Sequence, residues 1–460
     1  MNLPAVLLLS LLFAASLSFV QLAGGSEIIE VPGDYSRIQL AIDVAKPGDT
    51  INVASGTYFE SIRISKPLHL IGESPDKTII VGNGTVVWVG ADNVEIRGFT
   101  VRNGTYGIFL YYCTGALLRN NVMSSNKWNF GVWGDSISHY VHDVDSSNIV
   151  DGKPVYFWVN ENDKSVPKNA GYVALINSIN ITAQDLILTS NEQGVLLVNT
   201  QNSTIRNVAM SGNDVGIDLR MSSNNTITMS SLSTINWLSI YMTYSNSNTI
   251  TENTIRKGNY GISATSSSGN KIYHNNFIDN KVQQYQVNCV NKWNDDGEGN
   301  YWSDYIGADL DEDGVGDTML PHLGADYYPL VHIYDKIPPI ADAGEDQTVF
   351  KNSAAFFDAG GSSDNTDLAG YVWDFGDGSS GTGTNINHTY TTSGVYTVTL
   401  TVTDLGNNTA ENTVLVTVVD PPSPLAWWAS FAILGIVVII LAALAWFRRS
   451  AETKGIKNKS

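Results

Sequence analysis

Four carboxylates, Asp309, Asp311, Asp313 and Asp317, stand at positions 1, 3, 5 and 9 of a run with Gly314 at position 6. That is the front of a calcium loop, where alternate side chains converge on one cation and glycine permits the sharp turn. Position 12 is Leu320, so the usual bidentate glutamate is missing, and Asp304 or Asp326 is the nearest substitute. The competing reading is a solvated acidic turn. A second set is aromatic. Residues 151–170 carry Tyr156 and Trp158, and Trp128, Trp133 and Tyr140 lie close by in sequence. Exposed rings beside amides suit stacking on sugar faces, whereas the same rings turned inward only pack a loop. Adjacent carboxylates at Asp295 and Asp296 sit in an Asn/Gly-rich loop, without the basic partners or second acid that sugar cleavage requires. The residues therefore point to binding and not to catalysis.

These groups hang on a repeat. Val195, Ile217, Ile240 and Ile262 step by 22, 23 and 22 residues, and Ile205, Ile227, Ile250 and Ile272 repeat those steps ten residues later. A double comb of this kind places apolar strand residues over one another in successive coils of a solenoid. Short Ile/Val/Thr runs bounded by Asn, Ser and Gly, with no helical period, make the coil a β one. Asn202, Asn225, Asn248 and Asn270 precede the second comb, and Asn207, Asn253 and Asn275 follow it, as corner formers and stacked amides. Ile96 and Leu118, and Ile108 and Val132, extend the winding upstream with steps of 22 and 24. Before it, Ile38, Ala41, Ile42 and Ala45 form a helical stripe between Asp34, a candidate N-cap, and Pro47-Gly48. That helix would close the open end of the solenoid.

The stretch PGDTINVASGTYFESIRISKPLHLIGE (residues 47–73), its lead-in IQLAIDVAKPGDT and the Asn-rich coils resemble the NosD-like family of right-handed parallel β-helix proteins, over residues 34 to about 330. The resemblance implies copper handling in the assembly of a metalloenzyme. On that ground His139 and His142 are the copper candidates, although side chains three apart on a strand point to opposite faces and converge only in a turn. Further on, alternating Thr and Val/Leu from Tyr396 to Thr403, with Trp373-Asp-Phe-Gly-Asp-Gly378 and Gly394-Val-Tyr396-Thr-Val398, resemble a PKD domain, an immunoglobulin-like β-sandwich of cell-surface proteins. Asp374 and Asp377 read there as turn formers.

The chain has 460 residues, a net charge of −19 and only 15% charged residues, which excludes a nucleic-acid partner and suits an amide- and hydroxyl-rich surface. Cys113 and Cys289, many coils apart, are expected as free thiols. Residues 1–25 read as a signal peptide. Residues 425–447 lack any charge, carry Trp427, Trp428 and Trp446 near their ends, and are followed by five basic residues against one acid. They read as a transmembrane helix with a cytoplasmic tail, 448–460. The architecture expected is thus all-β: a parallel β-helix with a capping helix over 26–335, a PKD sandwich over 338–420, and one C-terminal transmembrane helix. The function expected is a membrane-anchored extracellular binding protein for a glycan or a neighbouring surface protein. A copper-binding assembly factor is the alternative, and a polysaccharide lyase or hydrolase the second alternative.

Overall fold

A computed structural model describes residues 26–422, 436–446 and 448. The chain forms two compact units that divide after Val331. Asp335 lies in the second, where Asn408 Nδ2 donates to its carbonyl at 3.0 Å and Asn365 Nδ2 to its carboxylate at 3.0 Å. The expected signal peptide lies outside the described residues, as does most of the expected span over 425–447. Residues 436–446 are helical and their apolar side chains, Ile439 among them, are exposed. Among the described residues no helix is long and apolar enough to cross a membrane.

The double comb is in register. Val195 pairs with Ile217, Ile217 with Ile240 and Ile240 with Ile262, while Ile205, Ile227, Ile250 and Ile272 pair in the same way in the neighbouring sheet. All eight side chains are fully buried. Buried amides run beside them. Asn225, Asn248 and Asn270 each donate from Nδ2 to the Oδ1 of the next coil's Asn, at 3.1, 3.1 and 2.9 Å, ending on Asn291. Ser203, not Asn202, precedes Asn225 in this ladder, because the corner at Asn202 needs φ +51° and leaves that side chain exposed. Asn207 likewise occupies a corner, with φ +49°, and the second ladder runs from Asn253 through Asn275 to Asn300. Upstream, Ile96 pairs with Leu118 as expected, but Ile108 faces Phe130, and Val132 faces Leu110. The winding there keeps a 22-residue step.

At the front, Ile38–Val44 is helical and buries Ile38, Ala41 and Ile42. Its N-cap is Arg37, without a side-chain bond, and not Asp34, whose carboxylate accepts from Glu30 N–H within the preceding turn. The free N–H groups of Ile38 and Gln39 donate instead to Glu60, one coil on, at 2.9 and 3.0 Å. A carboxylate at a helix N-terminus satisfies orphan donors and the dipole together.

The solenoid is not one continuous stack. Ile149–Val150 turns back through Asp151 (φ +45°) and Gly152 (φ +81°) and pairs antiparallel with Lys153–Val159, which then pairs in parallel with Tyr172–Ile176. Two cores result. In Tyr172–Ile176, Tyr172, Ala174 and Ile176 join the core of the first stack, while Val173 and Leu175 join that of the second. Gln193–Val198 repeats this, with Leu196 and Val198 on the first core and Val195 and Leu197 in the second. The outer face of the second stack thus closes the end of the first.

The second unit is a sandwich. Gln347–Phe350, Thr409–Val419, Gly394–Asp404, Leu368–Asp374 and Ser380–Thr382 form one sheet, and Ala354–Asp358 pairs with Asn385–Thr389 in another. Trp373 is fully buried among Phe357, Leu400 and Val416, and its indole N–H donates to Gly383 O at 3.0 Å. Asp374 and Asp377 accept backbone N–H groups of Gly376 and Ser379, as turn formers do.

Candidate functional site

Beside the seam between the two stacks the apolar outer face ends. Leu196 pairs with Asp218 and Val198 with Arg220, so the two side chains that would continue the first core are replaced by an acid and a base. Arg220 Nε lies 3.0 Å from both Asp218 oxygens, with the side chains 7% and 0% exposed. Its Nη1 donates to Gly134 O at 3.2 Å, and the guanidinium lies 4.2 Å from the Trp133 ring centroid and 5.3 Å from that of Tyr241. Nη2 is buried with no partner. A buried donor left unmatched costs about 1–3 kcal/mol, more for a charged group.

Trp133, Arg220 and Tyr241, with Tyr112, Tyr140 and Tyr244, line a cleft of about 250 Å³. Tyr140 is held rigidly at its floor, its hydroxyl donating to Gly134 O at 2.6 Å and accepting from Gly134 N–H at 3.0 Å. Asp135 stands exposed at the rim. Aromatic walls, a fixed cation and an unspent N–H can hold a polar ring by stacking and one directed hydrogen bond.

Of the aromatic residues read from the sequence, only Trp133 and Tyr140 are at this cleft. Trp128 is 6% exposed, packed on Tyr106 at 4.9 Å beneath Lys127, and offers no open face. Tyr156 and Trp158 pack on the second core, where the Tyr156 hydroxyl donates to Asn169 and Lys164 covers Trp158. Sequence reasoning missed Tyr112, Asp218, Arg220, Tyr241 and Tyr244. The signal of the charged pair was the comb itself, since one coil beyond Leu196 and Val198 the outward pair becomes charged in a chain poor in charge.

A buried acid lies deeper in the seam. Glu192 is 3% exposed, and burial, reinforced by Asp214 on the next coil, pushes its carboxyl up to about 8. The Tyr106 hydroxyl lies near it, and its Oε2 is buried without a hydrogen-bond partner.

In the acidic loop, Asp309, Asp311 and Asp317 bring one carboxylate oxygen each within 4.8 Å of one another. Gly314, at φ +92°, donates to Asp309 Oδ2 at 2.9 Å, and Asp309 Oδ1 is buried without a partner. Asp313 stands outside the group because its carboxylate accepts from Val315 N–H. Asp304 pairs with His322 and Asp326 receives the amide ladder, so neither completes the loop. Asp335, Asp364 and Asp404 form a similar group in the second unit, with Asn408 donating to the buried Asp404. Asp295 is paired with Lys271 and Lys292.

The family described as periplasmic copper-binding protein (NosD) matches residues 142–307, and the PKD domain family matches residues 336–418. These matches and the β-solenoid fit a NosD-like β-helix protein with a PKD domain. Over 100 residues it is 39% identical to a probable ABC transporter binding protein NosD of Stutzerimonas stutzeri, a stretch covering 20% of this chain and 23% of that one. It is 31% identical over 124 residues to a cell surface glycoprotein of Methanothermus fervidus, covering 26% and 21%. The chain therefore spans less than a quarter of the length of these curated relatives. The PKD1 domain of Vibrio anguillarum Epp is 30% identical over 19% of this chain and 100% of that domain, with a TM-score of 0.17.

Copper favours imidazole and sulfur donors. In this NosD-like chain His142 is buried with both ring nitrogens engaged: Nδ1 accepts from Ala116 N–H at 3.2 Å and Nε2 faces His139 O at 3.0 Å. Burial pushes its pKa down to about 4, which keeps it neutral. His139 turns its Nδ1 to Asp135 and its ring to Tyr112, so the two imidazoles do not converge. Cys113 is a buried free thiol pushed up to about 12, and the Cys289 thiol, also free, donates to Val287 O. Among the described residues, the groups of three or more metal-ligating side chains contain carboxylates alone.

Proposed function

We propose that this protein is a surface-tethered glycan-binding protein, with the cleft at Trp133 and Arg220 as its saccharide site and the C-terminal apolar segment as its anchor. The observation that carries the reading is the unpartnered Arg220 Nη2 buried among Trp133, Tyr140 and Tyr241. A sugar offers apolar C–H faces to the rings and an oxygen to that donor. The PKD unit then serves as a spacer between the solenoid and the membrane. The carboxylates of Asp309, Asp311 and Asp317 suit a calcium ion near the end of the solenoid, where oxygen donors at alternate positions would stiffen the loop.

The test is a glycan array probed with the full-length chain in mild detergent. Retention of a glycan by the wild type, lost in Trp133→Ala and weakened in Tyr244→Phe, supports the reading. Retention unchanged in Trp133→Ala overturns the site. Copper binding that requires His139 and His142, or release of sugar fragments, would replace the function with one of the two alternatives.

A further inference from the structure

The sheet leading to the cleft carries more rings than one sugar unit needs. Ile62, Val87, Ile108 and Phe130 are fully buried, so strand alternation turns Arg63, Trp88, Phe109 and Tyr111, and then Trp133, to the outside. These residues touch in sequence. The Arg63 guanidinium covers one face of the half-buried Trp88 ring at 3.5 Å from its centroid, so a ligand there meets Arg63 and the ring edge; Trp88 lies 5.9 Å from Tyr111, and Tyr111 lies 4.7 Å from Tyr112 at the mouth of the cleft. On the other side Trp133 meets Trp237 at 6.0 Å. Tyr111, Tyr112 and Trp237 are about two-fifths exposed, unlike Trp128, which is sealed. Rings that only filled space between coils would be closed off as Trp128 is.

Two cations stand on the same face, with Asp135 the exposed acid at the rim of the cleft. In a chain of net charge −19, Arg63 stands at the outer end of the row, and Lys127 reaches Asn236, beside Trp237, at 3.3 Å. Both cations are exposed. Coils rise by about 4.8 Å, close to the length of one pyranose unit, so a chain laid along the axis passes from one coil's ring to the next.

We propose that this row and the cleft form one continuous track for a linear acidic polysaccharide lying along the solenoid axis, with one unit in the cleft and acid groups of further units meeting Arg63 and Lys127. The proposal rests on the saccharide reading of the cleft and adds polymer length and charge to it. A single-unit site gains nothing from a longer ligand, whereas a track gains with each unit seated.

Galacturonate oligomers from dimer to octamer, and uncharged cello-oligomers of the same lengths, are titrated calorimetrically into the full-length chain in detergent. Affinity is expected to rise with length in the acidic series and to exceed that of the neutral series. Trp88→Ala and Arg63→Gln are expected to lower octamer affinity about tenfold while leaving the dimer unchanged, and Trp133→Ala to weaken both. Circular dichroism checks the fold, with Trp88→Phe as the milder variant. Length-independent binding, or an octamer indifferent to Trp88→Ala, overturns the track and leaves the cleft standing. Equal binding of both series overturns the acidic preference. Binding of no oligomer at any length overturns the cleft reading along with the track.

Discussion

Replacing Asp218 with Ala leaves Arg220 charged, buried and without its acid. The pair is almost sealed from water, and Arg220 retains only the Gly134 carbonyl and the rings of Trp133, Tyr140 and Tyr241. Breaking a buried pair from one side costs about 3–5 kcal/mol, whereas replacing both partners by packed apolar groups is often neutral or stabilising. The preceding coil supplies the apolar solution, because Leu196 and Val198 occupy the same register. Asp218→Leu with Arg220→Val should therefore recover most of the stability lost in Asp218→Ala. It should still abolish saccharide retention, because the guanidinium that lines the cleft is gone. Urea unfolding followed by tryptophan fluorescence measures the first effect and the glycan array the second. A double variant as unstable as the single one would refute the claim that burial of an unpaired charge is the cost.

Ile250→Asp should be among the most damaging single changes, by 4 kcal/mol or more on the order-of-magnitude scale for an unpaired buried charge, read as loss of soluble folded protein. Calcium should raise the midpoint of thermal unfolding through the loop at Asp309, and Asp309→Asn with Asp311→Asn should remove the shift. An equal response in wild type and variant would reduce the loop to a turn. Glu192 has a folded pKa near 8, above its ordinary value, so the folded state keeps a proton that the unfolded chain has released. Stability should accordingly fall as pH rises from about 4.5 to 8, at up to ~1.4 kcal/mol per pH unit, and Glu192→Gln should flatten that slope in urea unfolding.

The coil phase was legible because an apolar comb is enforced by geometry: a residue that missed its step would put a polar side chain in the core. The sandwich was legible through Trp373 and the alternating Thr and Val of Gly394–Asp404 for the same reason. The reversal of direction between the two stacks was not. Asp151-Gly152 is chemically a common turn, and nothing local tells whether the strand after it runs with the previous coil or against it. That reversal decides which rings are exposed. It puts Trp158 on the second core and leaves Trp133 open beside Arg220, so the site was half visible, with the right ring in one stack and its partners in another. For His139 and His142, proximity in sequence did not show that both ring nitrogens of His142 meet the backbone, at Ala116 N–H and His139 O.

The second amide ladder ends on a group of a different kind. Asn253 and Asn275 each accept from the coil before and donate to the coil after, and so does Asn300, but its Nδ2 donates to Asp326, which also receives Asn300 N–H and the Trp302 indole N–H. An amide passes the polarity of the row onward, whereas a carboxylate has nothing left to give. The row therefore has a head and a terminus, like a polymer closed by a chain stopper, and another coil, or another molecule's coil, finds no donor there to continue from. With the Ile38–Val44 lid at the other end, the protein sets its own length and denies its ends to fibre growth.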